Sequence, residues 1–181
     1  MHRHSSSIPR GLFCALAATL GLSNVLAQPL LPQEERLLAL SMEYFSAAKE
    51  AAELARREAA HADVLAYAEQ TWQAHEVLSL NVAQLRRDKG LPPIAATPGK
   101  RLRARIDLLG AFDRRHFDRK YLQQMGVSLH QVAGEVCRQG TQQARDPMVL
   151  SFAQACERSM AERVHAARAI AQKLDQPTQK R

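Results

Sequence analysis

Glu162-Arg163-Val164-His165 is a Glu-x-x-His spacing. When that spacing occurs on two helices of a bundle, with inward carboxylates from two more, it can hold a pair of iron or manganese ions, because bridging requires the ligands at one level. This chain has it once. The other residues with chemistry to offer on apolar helix faces are His75, His130, Cys137 and Cys156. Ser128 stands close to His130, but no acid in the sequence orients the pair, and adjacency alone does not make a triad. A glycine-rich phosphate loop and a Cys-x-x-Cys motif are both absent from the sequence. No catalytic residue is assigned.

The elements that must position these residues read as helices. Ala, Leu, Gln, Arg and Glu dominate, all good helix formers, and β-branched and aromatic residues never cluster as strands require. Helix one begins near Pro32, with Glu34 and Glu35 at the positive end of its dipole. No Gly or Pro follows until Gly90. The apolar face rotates near His61-Ala62-Asp63, where Asp63 can cap a second helix. A loop rich in proline leads to a short amphipathic helix carrying Leu102, Ile106 and Leu109. Asp113 caps the next helix, with Phe112 and Phe117 placed as a hydrophobic staple; Gly140 is expected to stop it. Asp146-Pro147 opens the last helix, which runs to about Leu174. The expected fold is all-α, an antiparallel four-helix bundle with a short extra helix between helices two and three.

Helical geometry of about 100° per residue sorts the candidates. On the last helix, Val149, Phe152, Cys156, Met160, Val164, Ala167 and Leu174 form the apolar stripe, and His165 falls nearly opposite, beside Arg158. On helix one, Leu37, Leu40, Tyr44, Ala48, Ala51 and Ala55 face inward, while Glu43, Glu50, Glu53 and Arg57 face outward. On helix two, His75 sits within the apolar face of Val64, Ala68, Thr71, Leu78 and Val82. Helix three centres on Met125, Leu129, Val132 and Val136, with His130 and Cys137 on a flank. His75 and His130 make the best polar constellation, expected to be hydrogen-bonded structural histidines. Two imidazoles without an inward acid or third ligand are a poor site for zinc or iron; a transition metal on His75 and His130 is the alternative, and no other cofactor is expected. With the last turn drawn between Gln139 and Asp146, Cys137 and Cys156 differ in height by about 12 Å, beyond the roughly 7 Å a disulfide spans between Cα atoms. No bond between them within one chain is expected.

Residues 1–27 read as a secretory signal peptide. Arg3 and Arg10 precede an uncharged run from Gly11 to Ala27, ending Val25-Leu26-Ala27, the small-x-small pattern cut by a signal peptidase. The run is shorter than the roughly 20 apolar residues of a membrane span, which favours cleavage after Ala27 over an uncleaved anchor. Cys14 follows Leu12-Phe13 and lacks the small residues of a lipidation site. Residues 28–175 then form one domain and residues 176–181 a disordered tail. After cleavage no segment is apolar enough to span a bilayer, and the compartment is the periplasm or outside the cell.

Phe117-Asp118-Arg119-Lys120-Tyr121-Leu122, followed by Met125 and His130, resembles the signature of domain-of-unknown-function family 4142 (DUF4142). Val64-Leu65-Ala66-Tyr67-Ala68, His75 and Lys89-Gly90-Leu91-Pro92 resemble its second helix and following loop. Asp146-Pro147, Phe152-Ala153 and His165 resemble its last helix. The similarity spans roughly residues 40 to 174. It implies a ferritin-like, helical, exported bacterial protein. Ser159-Met160 stand where the family often has Leu-Pro.

Charge adds one more candidate. The chain carries a net charge of +7, and Lys100, Arg101, Arg103, Arg105, Arg114, Arg115, Arg119 and Lys120 concentrate much of it in one segment. A solvated basic face is expected there; the sharper reading is contact with anionic envelope components such as lipid headgroups. Another envelope protein is a further candidate partner. Nucleic acid is excluded, because export removes that partner and few aromatics interleave the charges. The expected function is non-enzymatic binding in the envelope, or stress tolerance, with the metal site as the alternative.

Overall fold

The computed structural model describes residues 29–176. The proposed signal peptide and cleavage site, and the tail beyond residue 176, lie outside the described residues. Those residues are all-helical, with no strand among them: α1 (Pro32–Glu58), α2 (Ala62–Asp88), α3 (Lys100–Gly110), α4 (Arg114–Tyr121), a π-helical segment (Leu122–Leu129), α5 (His130–Gln143) and α6 (Pro147–Asp175). The last three elements before the final turn form one uninterrupted helical run. α1 packs on α2 and α5 on α6; α1 also meets α5, and α2 meets α6. Among the described residues no helix is long and apolar enough to cross a membrane.

Local sequence explains the boundaries. Pro32 occupies the first turn of α1, where its missing N–H costs nothing. Asp113 caps α4 by accepting from the N–H groups of Arg115 and His116 at 3.0 and 3.1 Å. Asp146 caps α6 by accepting from Met148 and Val149 at 2.9 and 3.2 Å. Gly90, at φ 67°, supplies the left-handed residue that ends α2. The break between α1 and α2 falls where the apolar face rotates, but the cap is His61 and not Asp63: the His61 Nδ1 accepts from the Asp63 N–H at 3.2 Å.

Two turns between long helices are held by carboxylates from elsewhere in the chain. The buried Glu34 accepts from Leu31 N–H at 2.7 Å and, through its other oxygen, from Arg145 and Asp146 N–H at 2.7 and 2.8 Å. Burial disfavours its charge, yet the N–H donors of Asp146, Leu31 and Arg145 outweigh that and hold its pKa below the usual value. Asp146 also pairs with Lys89, tying the end of α2 to the same corner. At the opposite end of the molecule's long helices, Asp118 accepts from Ala60 and His61 N–H at 3.2 and 2.8 Å. Each carboxylate satisfies donors that a turn would otherwise leave orphaned.

The apolar interior forms two clusters. One gathers the alanine stripe of α1 (Ala47, Ala51, Ala55) with Tyr67, Phe117, Tyr121 and Leu122. The other gathers Leu38, Phe45, Val82, Val149 and Phe152 around Cys137 and Cys156. The last turn differs from the sequence expectation. Gly140 does not end its helix, which continues to Gln143. Gly140 is there for closeness: a Cβ on it would stand 2.4 Å from the Leu37 side chain. Gly126 is alike, with a Cβ placed 2.7 Å from Ala167 Cβ.

The longer helix overturns the expectation that no intrachain disulfide forms. Cys137 and Cys156 are bonded, with Cα atoms 5.8 Å apart. Moving the turn from Gln139–Asp146 to Gln143–Pro147 shifts the pairing of heights by five residues. The cysteines then differ by only about 4.5 Å along the axis, within disulfide reach.

Two outcomes follow. Gly126→Ala lowers unfolding free energy by about 1–3 kcal/mol in urea titration, through overpacking against α6. Replacing Cys137 and Cys156 together with serine lowers it by about 3 kcal/mol, the magnitude for a loop of this length. An unchanged urea midpoint in reducing and non-reducing buffer would contradict the second.

Candidate functional site

The helical run that carries His130 contains an eight-residue π segment. A π turn adds a residue and frees backbone groups, and such turns are frequent at functional sites. Four consecutive carbonyls of this segment accept side-chain donors. Ser128 Oγ donates to Gln123 O at 3.0 Å and Arg105 Nη2 to Gln124 O at 2.9 Å. His130 Nδ1 lies 2.6 Å from Met125 O, and Tyr67 Oη donates to Gly126 O at 3.4 Å and to Arg163 O at 3.2 Å.

The extra residue rotates the helix beyond it. The inward face runs Met125, Gly126, Leu129, His130, Ala133, Cys137, Gly140. Val132, expected at the centre of that face, is instead 46% exposed, and Val136 is half-buried. His130 and Cys137, expected on a flank, are fully inside.

His130 meets His75 there. Their ring centroids are 5.0 Å apart, edge to face, and Phe45 packs 5.4 Å from His75. Along α2, Thr71 and His75 fall between Tyr67 of the first cluster and Leu78 of the second. The His75 Nδ1 lies 2.8 Å from Thr71 O. A carbonyl can only accept, so both histidines carry their proton on Nδ1 and present a lone pair on Nε2. Each ring is thus hydrogen-bonded to a carbonyl of its own helical run.

Their surroundings keep them neutral. Burial, with the charge of a protonated His130 and of Arg163 and Lys49, pushes His75 down to about 3 against the bond to Thr71 O. Burial and Arg163 push His130 down to about 4, against its bond to Met125 O. Burial drives Tyr67 up to about 12 and Tyr121 well above its ordinary value. Arg163 enters this layer from α6, its guanidinium 6.0 Å from the Tyr67 ring centre. Its Nε and Nη1, with Thr71 Oγ1 and His130 Nε2, are buried without hydrogen-bond partners.

This arrangement offers neutral imidazole lone pairs and one guanidinium, and no carboxylate lies in the layer. No cluster of three or more His, Cys, Asp or Glu side chains that could hold a metal occurs among the described residues. The di-iron chemistry of ferritin-like bundles does not fit these residues, since the lone Glu162–His165 pair is exposed. His165 points away from the core, as its helical angle predicted.

The basic segment is not one free face. Arg103 pairs with Glu50, and Arg119 pairs with Asp175 and donates to Leu174 O at 3.2 Å. Arg105 serves the π segment, Arg114 reaches Arg57 O at 3.5 Å, and Lys120 stands 5.5 Å over the Phe112 ring. Lys100, Arg101 and Arg115 are exposed and make no ion pair among the described residues. Sequence reasoning missed Arg163, whose neighbour His165 drew attention through the Glu-x-x-His spacing. Its position 60° from Met160 on the α2 side carried the signal.

These features define an all-helical domain with a buried polar layer. The chain belongs to the family described as "Domain of unknown function (DUF4142)", whose model matches residues 25–170. A similar solved structure is the crystal structure of a DUF305 fragment from Deinococcus radiodurans, at TM-score 0.72 and 16% identity, covering 81% of this chain and 99% of that one. At that identity the likeness shows the fold alone. No curated protein matches the chain.

The histidine pair has a pH signature. Unfolded histidine titrates near 6.5, whereas the folded pair resists protonation until about 3 to 4. Between those values the unfolded chain binds more protons. The pair's contribution is therefore full above about pH 6.5 and falls as pH drops toward 4. Thermal melts of His75→Gln and His130→Gln show a shallower decline across that window than the parent chain.

Proposed function

We propose that this chain is an exported, non-enzymatic binding protein of the bacterial envelope, built as an antiparallel four-helix bundle of ferritin-like type. The Cys137–Cys156 disulfide carries the reading: such bonds persist in oxidising compartments outside the cytoplasm, and the leader of residues 1–27 has export chemistry. The bundle is supported by short turns joining α1 to α2 and α5 to α6, with α1 against α5 and α2 against α6. Binding in place of catalysis is supported by a buried layer of two carbonyl-bonded imidazoles and one guanidinium, with no carboxylate or activated nucleophile beside them. A role in stress tolerance or contact with another envelope protein is compatible with it. Contact with anionic lipid narrows to Lys100, Arg101 and Arg115.

Protein recovered from the periplasm of a bacterial host begins at Gln28 and has both thiols blocked to alkylation before reduction. A chain that keeps residues 1–27, or that alkylates without reduction, contradicts export. Anionic vesicles bind the chain weakly, and binding falls as salt rises past a Debye length of about 8 Å.

A second reading places a transition metal on His75 and His130. It is supported by tautomer: histidine ligands commonly donate the other ring N–H to a carbonyl, as both do here. Zinc or copper titration that leaves both rings' NMR signals in place removes this reading.

A further inference from the structure

Between α1, α2 and the loop that leaves α2 lies a cavity of about 220 Å³. That is about seven water volumes, below the roughly 300 to 1,000 Å³ of sites for drug-sized molecules, so its occupant is small. Met42 comes from α1, Ala83 from α2, and Leu91, Pro93 and Ile94 from the loop. These walls are apolar. The loop is held at both ends: Arg86 Nε and Nη2 donate to Pro92 O at 3.0 and 2.6 Å, and Ser46 Oγ donates to Ala96 O at 2.7 Å.

The two remaining lining residues are Arg86 and Arg87, and no acid lines the cavity. Arg86 is only 7% exposed, yet it makes no ion pair among the described residues. Its partner is a carbonyl, a dipole and not a counter-ion, whereas buried charges are ordinarily paired. Its third nitrogen, Nη1, makes no hydrogen bond among the described residues. Unlike Arg163 Nη1, it is not sealed from solvent. Arg87 is exposed, makes no ion pair among the described residues either, and uses only Nη2, which donates to Gln84 Oε1 at 2.5 Å. Asp88 and Glu43, the acids next in sequence to lining residues, accept from Gln84 Nε2 and Gly99 N–H at 2.7 and 3.1 Å and do not line the cavity. The charge offered to a visitor is therefore positive, and the rest of the surface is apolar.

We infer that this cavity binds a small aliphatic monocarboxylic acid of about five or six carbons: its carboxylate meets Arg86 Nη1 and the Arg87 guanidinium, and its tail lies among Met42, Leu91 and Ile94. Guanidinium and carboxylate match in charge and in planar geometry. The bonds from Arg86 to Pro92 O survive, because the acid takes the nitrogen they leave over. A phosphate fits less well, since its additional oxygens would stand against apolar walls without donors. The inference rests on the binding reading above and is independent of export.

The test is titration of the full, disulfide-bonded chain with hexanoate, 1-hexanol, hexylamine, acetate and inorganic phosphate, followed by the methyl NMR signals of Met42 and Ile94. Hexanoate shifts those signals and binds at least tenfold more tightly than hexanol or hexylamine, which lack the carboxylate, and than acetate or phosphate, which lack the tail. Arg87→Gln, an exposed change that leaves the loop clamp intact, weakens hexanoate severalfold and leaves hexanol unchanged. Ala83→Leu fills the cavity from α2 and abolishes the shifts. Absence of any shift at millimolar hexanoate, equal binding of hexanol or phosphate, or indifference to Arg87→Gln each overturns the cavity proposal. An exported, disulfide-bonded chain with any of those results overturns it alone and leaves the export reading standing.

Discussion

The extra residue of the π segment is the constraint on which the rest of the interior depends. A plain α-helix through residues 114–143 would carry Val132 and Val136 to the core and leave His130 and Cys137 at its edge. The π turn shifts that phase. One local irregularity therefore places two chemically distinct contacts, the His75–His130 pair and the Cys137–Cys156 bond, on the inward face. It persists because its carbonyls are answered by donors from α2, α3, α5 and itself. Arg105 and Tyr67 thereby help to hold the turn that carries His130 inward.

The two carboxylate clamps work in the same manner at the ends. Glu34 and Asp118 each sit on one helix and satisfy N–H groups of a turn between two others. An orphaned N–H in a buried turn costs about 1–3 kcal/mol, so each clamp couples the position of three helices at once. The disulfide then adds a covalent tie near the Glu34 corner. The Asp118 corner has no such tie, and the pairing of Arg119 with Asp175 there is exposed, hence worth little.

Much of this was legible in the residues. Proline, aspartate and glycine punctuation located Pro32, Asp113, Asp146 and Gly90 correctly, because those residues act locally on φ or on orphan N–H groups. Gly140 was misread for the same reason: glycine is both a helix stop and a small surface, and only the neighbouring Leu37 decides which. That single ambiguity propagated into the disulfide, since the height argument took its origin from the helix end. His75 was found by type and face and His130 by type alone, while Arg163 was not found, because a charged residue on a flank ordinarily reads as solvated. A π turn leaves no spacing signature until its tertiary partners are known.

The neutral histidine pair also bears on how the helices are aligned. Two apolar clusters could meet across a plain hydrophobic seam, which would be easier to form but would tolerate a sliding of α2 along α5. Bonds from His75 to Thr71 O and from His130 to Met125 O fix each ring to its own helix, so their mutual contact sets a register between helices. Buried polar groups serve as register devices in other helical assemblies. The same tautomer that satisfies the inner nitrogen leaves an acceptor, and only an acceptor, on the outer one. A structural solution to burying imidazole thereby fixes the hydrogen-bond polarity of the one ring nitrogen of His130 left unpartnered in the interior.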